Sequence, residues 1–321
     1  MKTSIALFQM SSVLGDFEGN KNKILSFCLS HKDCDIVVTP ELSLCGYPPE
    51  DLIFHKSFIL SCFETAQQLV ESSKEFPNIH LLVGLPVQEG EKIFNEAFLI
   101  KNGQLLGRYK KRNLPNYGVF DERRYFTAGK NSEPLVFDVK GTRFGVNICE
   151  DIWHAEAPEL AKKAGSEVLL ILNASPFEKY KRQQRIECVE KNVCAQGMDA
   201  VYVNACGAQD EIIFDGFSFT RTKDGKGREM SGFEAASMLA EAEHGELLEA
   251  SSFEISQGIA DLYSGLVLSF KSYIENNSFK GVVLGLSGGI DSALVLKIAV
   301  DAVGADKVEA VMMPSQFTSD M

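Results

Sequence analysis

A strand that is apolar on both faces must be covered on both, and this chain carries several. Asp35–Thr39, Val168–Asn173 and Ala200–Asn204 are near-continuous apolar runs of strand length. That is the pattern of a sheet buried between layers, not one lying half in water. Such runs alternate with stretches of helical apolar spacing, which predicts a layered α/β fold. Strands are predicted over Ser4–Gln9, Asp35–Thr39, His80–Leu85, Lys92–Lys101, Gln104–Lys110, Arg143–Ile148, Val168–Asn173, Ala200–Asn204 and Gly216–Thr220. Helices are predicted near Asn20–Ser30, Lys56–Phe76, Glu156–Ala164 and Tyr180–Gln196. The turns Lys101-Asn102-Gly103 and Val139-Lys140-Gly141 signal hairpins. Antiparallel pairs must therefore be mixed with parallel ones.

At 321 residues the chain suits one large domain plus part of another. From Thr222 to about Ser256 the composition turns Gly/Lys-rich, then Ala/Glu-rich with little strand character. The first domain is accordingly placed at 1–222, a connecting segment at 223–256 and a second unit at 257–321. That second unit reads as helix Ile255–Asn277, strand Gly281–Leu286, a Gly-rich turn, helix Asp291–Val303 and strand Lys307–Met313. A single unit of this kind cannot bury a sheet on both faces, so the second domain is expected to be incomplete at Met321.

A formal charge of −12 argues against nucleic acid or an anionic membrane as the main partner. No apolar run approaches the length of a membrane span, and the first ten residues read as a strand and not as a secretory signal. A cytoplasmic location is expected. The eight cysteines form no C-x-x-C pair. They read as reduced thiols, with neither a disulfide framework nor a zinc site.

Three places resist a purely structural reading. Glu41 follows an apolar strand and Pro40, where α/β sites are usually built. Basic residues at 108, 110, 111 and 112 run into a Pro/Asn/Gly loop rich in aromatics that closes on Asp121 and Glu122. Cys149 ends the run Gly145-Val146-Asn147-Ile148 and is followed by Glu150, Asp151, Ile152 and Trp153. A cysteine on such a strand-to-helix turn could act as a nucleophile, with backbone N–H groups accepting an oxyanion. The neighbouring acids would raise its pKa, so a base must take the thiol proton during attack. Each place alone also has an ordinary reading: a solvated acid, a charged strand end, a small buried thiol.

Together the pattern P-E-x-x-x-x-G-Y, the K-x-x-L-P-x-Y loop and the C-E-D-x-W turn resemble the nitrilase (carbon–nitrogen hydrolase) superfamily over roughly residues 1–220. The resemblance implies an α-β-β-α sandwich that assembles as a homo-oligomer, with Glu41 as general base, Lys111 facing the tetrahedral intermediate and Cys149 as nucleophile. Lys110 is the competing neighbour. Successive strand side chains face opposite ways, so one of the two lysines points at the thiol.

Further on, Ser287-Gly288-Gly289-Ile290-Asp291-Ser292 sits between an apolar strand and a helix. Glycines and a helix N-terminus suit a phosphate, yet no Lys follows as in a P-loop. The S-G-G-x-D-S loop resembles that of the ATP-pyrophosphatases, implying a Rossmann-like domain with Ser287, Gly288, Gly289, Asp291 and Ser292 on the nucleotide phosphates. Joined to a nitrilase-like part, and with Met312-Met313-Pro314-Ser315 beyond, it resembles the glutamine-dependent NAD⁺ synthetase family. That resemblance implies glutamine, ATP with Mg²⁺ and deamido-NAD⁺ as ligands of the complete enzyme, with no cofactor for glutamine hydrolysis and no metal ligand in this chain. It makes Tyr47, Tyr117 and Glu122 candidates for glutamine recognition and Trp153 a candidate pocket wall. Ala205 and Ala208 depart from the family pattern, standing where a larger polar residue and a glycine are expected. The chain alone is not expected to make NAD⁺. Two other readings stand beside this one: a stand-alone nitrilase-type amidase, and a non-catalytic partner of a separate synthetase subunit.

Overall fold

The computed structural model describes residues 1–255 and 258–312. In chain order the elements are β1 (Thr3–Gln9), α1 (Phe17–Ser30), β2 (Ile36–Val38), α2 (Lys56–Ser72), β3 (His80–Glu89), β4 (Lys92–Lys101) and β5 (Gln104–Lys110). Then come α3 (Glu122–Tyr125), β6 (Val136–Val139), β7 (Thr142–Ile148), α4 (Glu156–Lys163), β8 (Val168–Asn173), α5 (Lys181–Asn192), β9 (Asp199–Asn204), β10 (Cys206–Gln209), β11 (Ile212–Asp215) and β12 (Phe219–Arg221). β13 (Ala236–Glu243), β14 (Glu246–Leu247), α6 (Ile259–Asn276), β15 (Val282–Leu286), α7 (Ile290–Val303) and β16 (Val308–Met312) complete the described chain.

Two sheets form the body of the molecule, one of seven strands in the order β14-β13-β1-β2-β3-β4-β5 and one of five in the order β12-β9-β8-β7-β6. The strand centres are parallel and the edges antiparallel: β1, β2 and β3 run together, as do β7, β8 and β9. The two Gly turns close the β4–β5 and β6–β7 hairpins, with Asn102, Gly103, Lys140 and Gly141 all at positive φ.

The near-continuous apolar runs are explained by what covers each face. Along β1, Ile5 and Leu7 point into a cluster with Val146, Ile148, Leu170, Leu172 and Val203 of the other sheet. Ala6, between them, faces Ile24, Phe27 and Cys28 of α1 and helix α2 beyond. On the second sheet Leu169 and Ile171 face the opposite way, toward Ile186 and Val189 of α5. Helix, sheet, sheet and helix thus stack as an α-β-β-α sandwich with three apolar cores.

After the sandwich, β15 and β16 pair in parallel, joined through α7 as one βαβ unit. Helix α6 precedes it and leans on the sandwich: the rings of Phe177 and Phe233 lie beside Gly265, and Asn276 Nδ2 donates to the Ala208 carbonyl at 3.4 Å. Among the described residues no helix is long and apolar enough to cross a membrane.

Several expectations need correction. Residues 223–256 were predicted to have little strand character, yet they hold β13 and β14, and β13 pairs antiparallel with the whole length of β1. β3 runs on through Pro86 to Glu89 and does not stop at Leu85. The helices predicted to reach Phe76 and Gln196 end at Ser72 and Asn192, each followed by a 3-10 turn. The strand predicted at Gly216–Thr220 starts later, at Phe219, because Gly216 and Phe217 both take positive φ. β6 and the β10–β11 hairpin were not predicted as strands. Met313, Pro314 and Ser315 lie outside the described residues.

Candidate active site

Glu41 stands three residues past β2, on a loop clamped to its neighbours. Thr39 N–H and Oγ1 both donate to the Leu82 carbonyl at 3.1 Å, and Leu44 N–H donates to that of Gly84 at 3.1 Å. The loop lies so close to β3 that a Cβ on Gly84 would come within 2.4 Å of the Leu42 nitrogen. Leu42 itself is at φ +48°, a turn that a branched residue takes only when its surroundings hold it. The fully buried Glu41 carboxylate then accepts from Asn95 Nδ2 (2.7 Å), Lys111 Nζ (2.7 Å) and the Ala174 N–H (3.1 Å).

Of the two neighbouring lysines, Lys110 turns outward to Glu89 and the face of Phe94, whereas Lys111 turns inward and is 1 % exposed. The outcome follows from strand alternation. Lys111 Nζ also donates to both Glu122 oxygens at 2.8 Å. Burial alone would pull this ammonium down, but the charges of Glu122, Glu41 and Cys149 outweigh it and hold the pKa well above the ordinary value. One cation cannot neutralise two buried carboxylates. Burial first, and then repulsion from Glu41, push the Glu122 carboxyl up to about 7 against the pull of Lys111. Tyr47 Oη donates to Glu122 Oε1 at 2.8 Å, and burial, with the Glu122 and Glu41 charges adding, raises its phenol well above the usual range. A small cavity of about 40 Å³ lies beside them, bounded by Tyr47, Pro48, Phe120 and Glu122.

Cys149 comes from the second sheet. It directly follows β7 and opens the 3-10 turn Cys149–Trp153 at φ +43°. A non-glycine residue in this left-handed conformation stores strain of order 1–3 kcal/mol, a cost typically met at functional sites. Cys149 is 6 % exposed, and its thiol pKa is raised well above the usual value by burial first and then by Glu41, against the pull of Lys111. The resting group is a neutral thiol beside a carboxylate and an ammonium. Such a thiol needs a base at the moment it attacks.

The other candidates divide around this centre. Tyr47 and Glu122 sit on the Lys111 side and are buried. Tyr117 is 51 % exposed and donates through its hydroxyl to Glu150 Oε2 at 2.9 Å, next to Cys149 in the chain. Trp153 is part-buried against the α5 core, with Lys181 Nζ 4.5 Å from its ring centre. In the second unit, Ser287 to Gly289 form an exposed turn at the N-terminus of α7, with Gly288 at φ +83° and nothing within 4 Å of a Cβ there. Ser292 Oγ donates to the Gly289 carbonyl at 2.9 Å and lies 3.1 Å from Ser287 Oγ. Asp291, in the first turn of α7, is exposed.

The model of the carbon–nitrogen hydrolase family matches residues 4–226. The chain belongs to this family. A second model, NAD synthase, matches residues 262–321. A curated relative from Acinetobacter baylyi, called glutamine-dependent NAD(+) synthetase, is 40% identical over 99% of this chain and 59% of its own length. One of the same name from Aquifex aeolicus is 36% identical over 98% of this chain and 61% of its own. The chain thus spans about 59% of the first of these relatives. Among solved structures, a glutamine-dependent NAD⁺ synthetase from Acinetobacter baumannii in complex with ADP superposes with a TM-score of 0.92 at 38% identity, covering all of this chain and 61% of that one. A nitrilase-superfamily amidase from Nesterenkonia shares the fold, with a TM-score of 0.65 at 23% identity over 75% of this chain.

In this carbon–nitrogen hydrolase several side chains at the site escape a motif reading. Asn95 is a buried polar residue on β4 whose amide donates to Glu41. Asp151 is fully buried and accepts from both sheets. Arg185 is buried on α5 against Asp215 at 2.7 Å and also donates to Ser175. The available signal was a polar residue inside an apolar strand for Asn95, and a place in the cysteine turn itself for Asp151.

Proposed function

We propose that this chain hydrolyses the side-chain amide of glutamine, and that in the complete enzyme the ammonia amidates deamido-NAD⁺ at the expense of ATP. The supporting observation is the buried Glu41–Lys111 ion pair at 2.7 Å, whose two charges act on the strained Cys149 thiol. A carboxamide is a poor electrophile with a poor leaving group, so the site must supply both a nucleophile and a proton. Cys149 Sγ attacks the amide carbon while Glu41 takes the thiol proton. The oxyanion of the tetrahedral intermediate faces Lys111 and a backbone N–H of the cysteine turn, a stabilisation of about 3 kcal/mol per well-aimed donor. The C–N bond then breaks as Glu41 returns the proton to the departing ammonia. Water, deprotonated by Glu41, attacks the thioester, releasing glutamate and restoring the thiol. Glu122 keeps Lys111 aimed inward, Tyr47 holds Glu122, and Tyr117 and Trp153 border the entrance for the glutamine.

In the second unit, Ser287, Gly288, Gly289, Asp291 and Ser292 would hold the phosphates of ATP, which brings Mg²⁺ with it. The open Gly288 turn at a helix N-terminus suits such an anion. The hydrolytic step needs no cofactor. A stand-alone amidase would have no use for this loop, and a non-catalytic partner would have none for the ion pair beside Cys149. All eight cysteines are free and buried, which fits a reducing cytoplasm. Homo-oligomers are part of the same reading.

The test is ammonia release from glutamine. Cys149→Ala should abolish it. Cys45→Ala should not, since that thiol is fully buried and bonded to backbone carbonyls of its own loop. Full activity in Cys149→Ala would refute the mechanism.

A further inference from the structure

The proposed triad is assembled across the interface between two sheets, and that creates a positioning problem. Lys111 follows β5, the edge of the seven-stranded sheet, whereas Cys149 follows β7 in the five-stranded one. No ladder of backbone hydrogen bonds joins β5 to β7, because they belong to different sheets. Apolar packing sets the spacing of two such sheets but tolerates sliding, being non-directional. A reaction that needs an ammonium and a sulfur in fixed register requires directional contacts across the gap.

We infer that Asp151 is a positioning residue that fixes Lys111 relative to Cys149 by gripping both strand ends with one carboxylate. Oδ1 accepts the backbone N–H of Arg112 at 2.9 Å and of Asn113 at 2.8 Å, the two residues that follow Lys111. Oδ2 accepts the N–H of Ile148 at 3.1 Å, the residue before Cys149, and the Tyr109 hydroxyl at 2.8 Å, two residues before Lys111. The same hydroxyl accepts from Asn147 Nδ2 at 2.9 Å, a further tie between the two strands. Asp151 is fully buried, so no water competes for these four donors.

The chemistry of the grip calls for a carboxylate. Its two oxygens offer about four acceptor sites and no hydrogen. An asparagine of the same shape has one accepting oxygen, and its NH₂ would confront donors already aimed at that position. One strand end would then be released. This role rests on the glutaminase reading, and it is distinct from catalysis because Asp151 reaches the substrate only through Lys111 and Cys149.

The experiment measures steady-state glutamine hydrolysis by Asp151→Asn, Tyr109→Phe and Cys149→Ala, with thermal unfolding of each. Asp151→Asn should lose roughly 10²-fold in kcat with KM within about threefold, the scale expected for a displacement of about 1 Å at a reacting centre. Tyr109→Phe removes one donor and leaves the backbone bonds, so its kcat should fall less, again at unchanged KM. A folded Asp151→Asn with wild-type kcat overturns the inference, and so does a loss carried in KM, which would make Asp151 part of the substrate pocket. Should Asp151→Asn fail to fold, Tyr109→Phe decides: wild-type kcat overturns the inference, and reduced kcat at unchanged KM supports it. Cys149→Ala separates the two levels. Activity in that variant sinks the glutaminase reading itself, whereas an inactive Cys149→Ala beside a fully active Asp151→Asn sinks the positioning role alone.

Discussion

Replacing Lys111 with methionine tests the charge arrangement on which the site depends. Methionine keeps most of the volume of the buried stem and removes the ammonium that holds Glu41 at 2.7 Å and both Glu122 oxygens at 2.8 Å. Two buried carboxylates are then left without a cation. Breaking a buried ion pair by deleting one partner costs about 3–5 kcal/mol, because the orphaned charge stays desolvated. For a domain of this size each kcal/mol moves Tm by about 2–4 °C, so a fall of roughly 6–20 °C is expected. The pH dependence carries a definite sign. The raised folded pKa of Lys111 contributes stability fully present below its ordinary value of 10.5, hence throughout pH 5–8. Without it the Glu122 carboxyl rises further, and a carboxyl raised in the folded state costs stability above its unfolded value of 4.5. The deficit of Lys111→Met should therefore be largest at pH 8 and shrink toward pH 5. Differential scanning calorimetry across that range reads it directly. A Tm within about 2 °C of wild type at pH 8, on the same scale, would refute the reasoning.

Two other outcomes follow. Glu122, pushed up to about 7, binds more protons folded than unfolded between about pH 4.5 and 7, so it makes stability fall as pH rises through that window. Glu122→Gln removes this slope, and the Tm difference between variant and wild type should move in the variant's favour from pH 5 to pH 8; a constant difference contradicts the coupling. Gly84→Ala forces a methyl to within 2.4 Å of the Leu42 nitrogen, so it should push the Glu41 loop away and lower kcat for glutamine hydrolysis. A variant with wild-type Tm and kcat would show that the close approach is not needed.

The interior of the sandwich was legible because its residues meet local rules. The runs at 168–173 and 200–204 are apolar on both faces, and the structure covers both, with the opposing sheet on one side and α5 on the other. β13 was not legible for the converse reason. Its residues, Ala236 to Glu243, alternate weakly and include alanines and glutamates that favour strands poorly. What makes them a strand is pairing with Thr3 to Gln9, more than two hundred residues earlier in the chain. β3 runs past the predicted end at Leu85, through Pro86 opposite Asn95, although Pro has no N–H to give a ladder.

The site divides along the same line. Glu41, Lys111 and Cys149 stood out because each carries an odd chemical group at a strand end. Alternation says only that Lys110 and Lys111 face opposite ways, and the resemblance of the K-x-x-L-P-x-Y loop picks Lys111; in the structure Lys110 pairs outward with Glu89. Glu122 was expected among residues touching glutamine, and its placement against Lys111 depends on a chain reversal through residues 112–121 that no short motif encodes. Asn95 and Asp151 act through contacts between segments far apart in sequence, so their surroundings had to be seen.

The central claim is that the Cys149 sulfur becomes covalently bonded to the γ-carbonyl of glutamine. Intact-protein mass spectrometry of the chain, acid-quenched during turnover of glutamine, reads that bond directly. The account predicts a γ-glutamyl thioester adduct that maps by proteolysis to the peptide containing Cys149 and is absent from Cys149→Ala. Continued turnover with no adduct on the wild-type chain, or an adduct on any other cysteine, would contradict it.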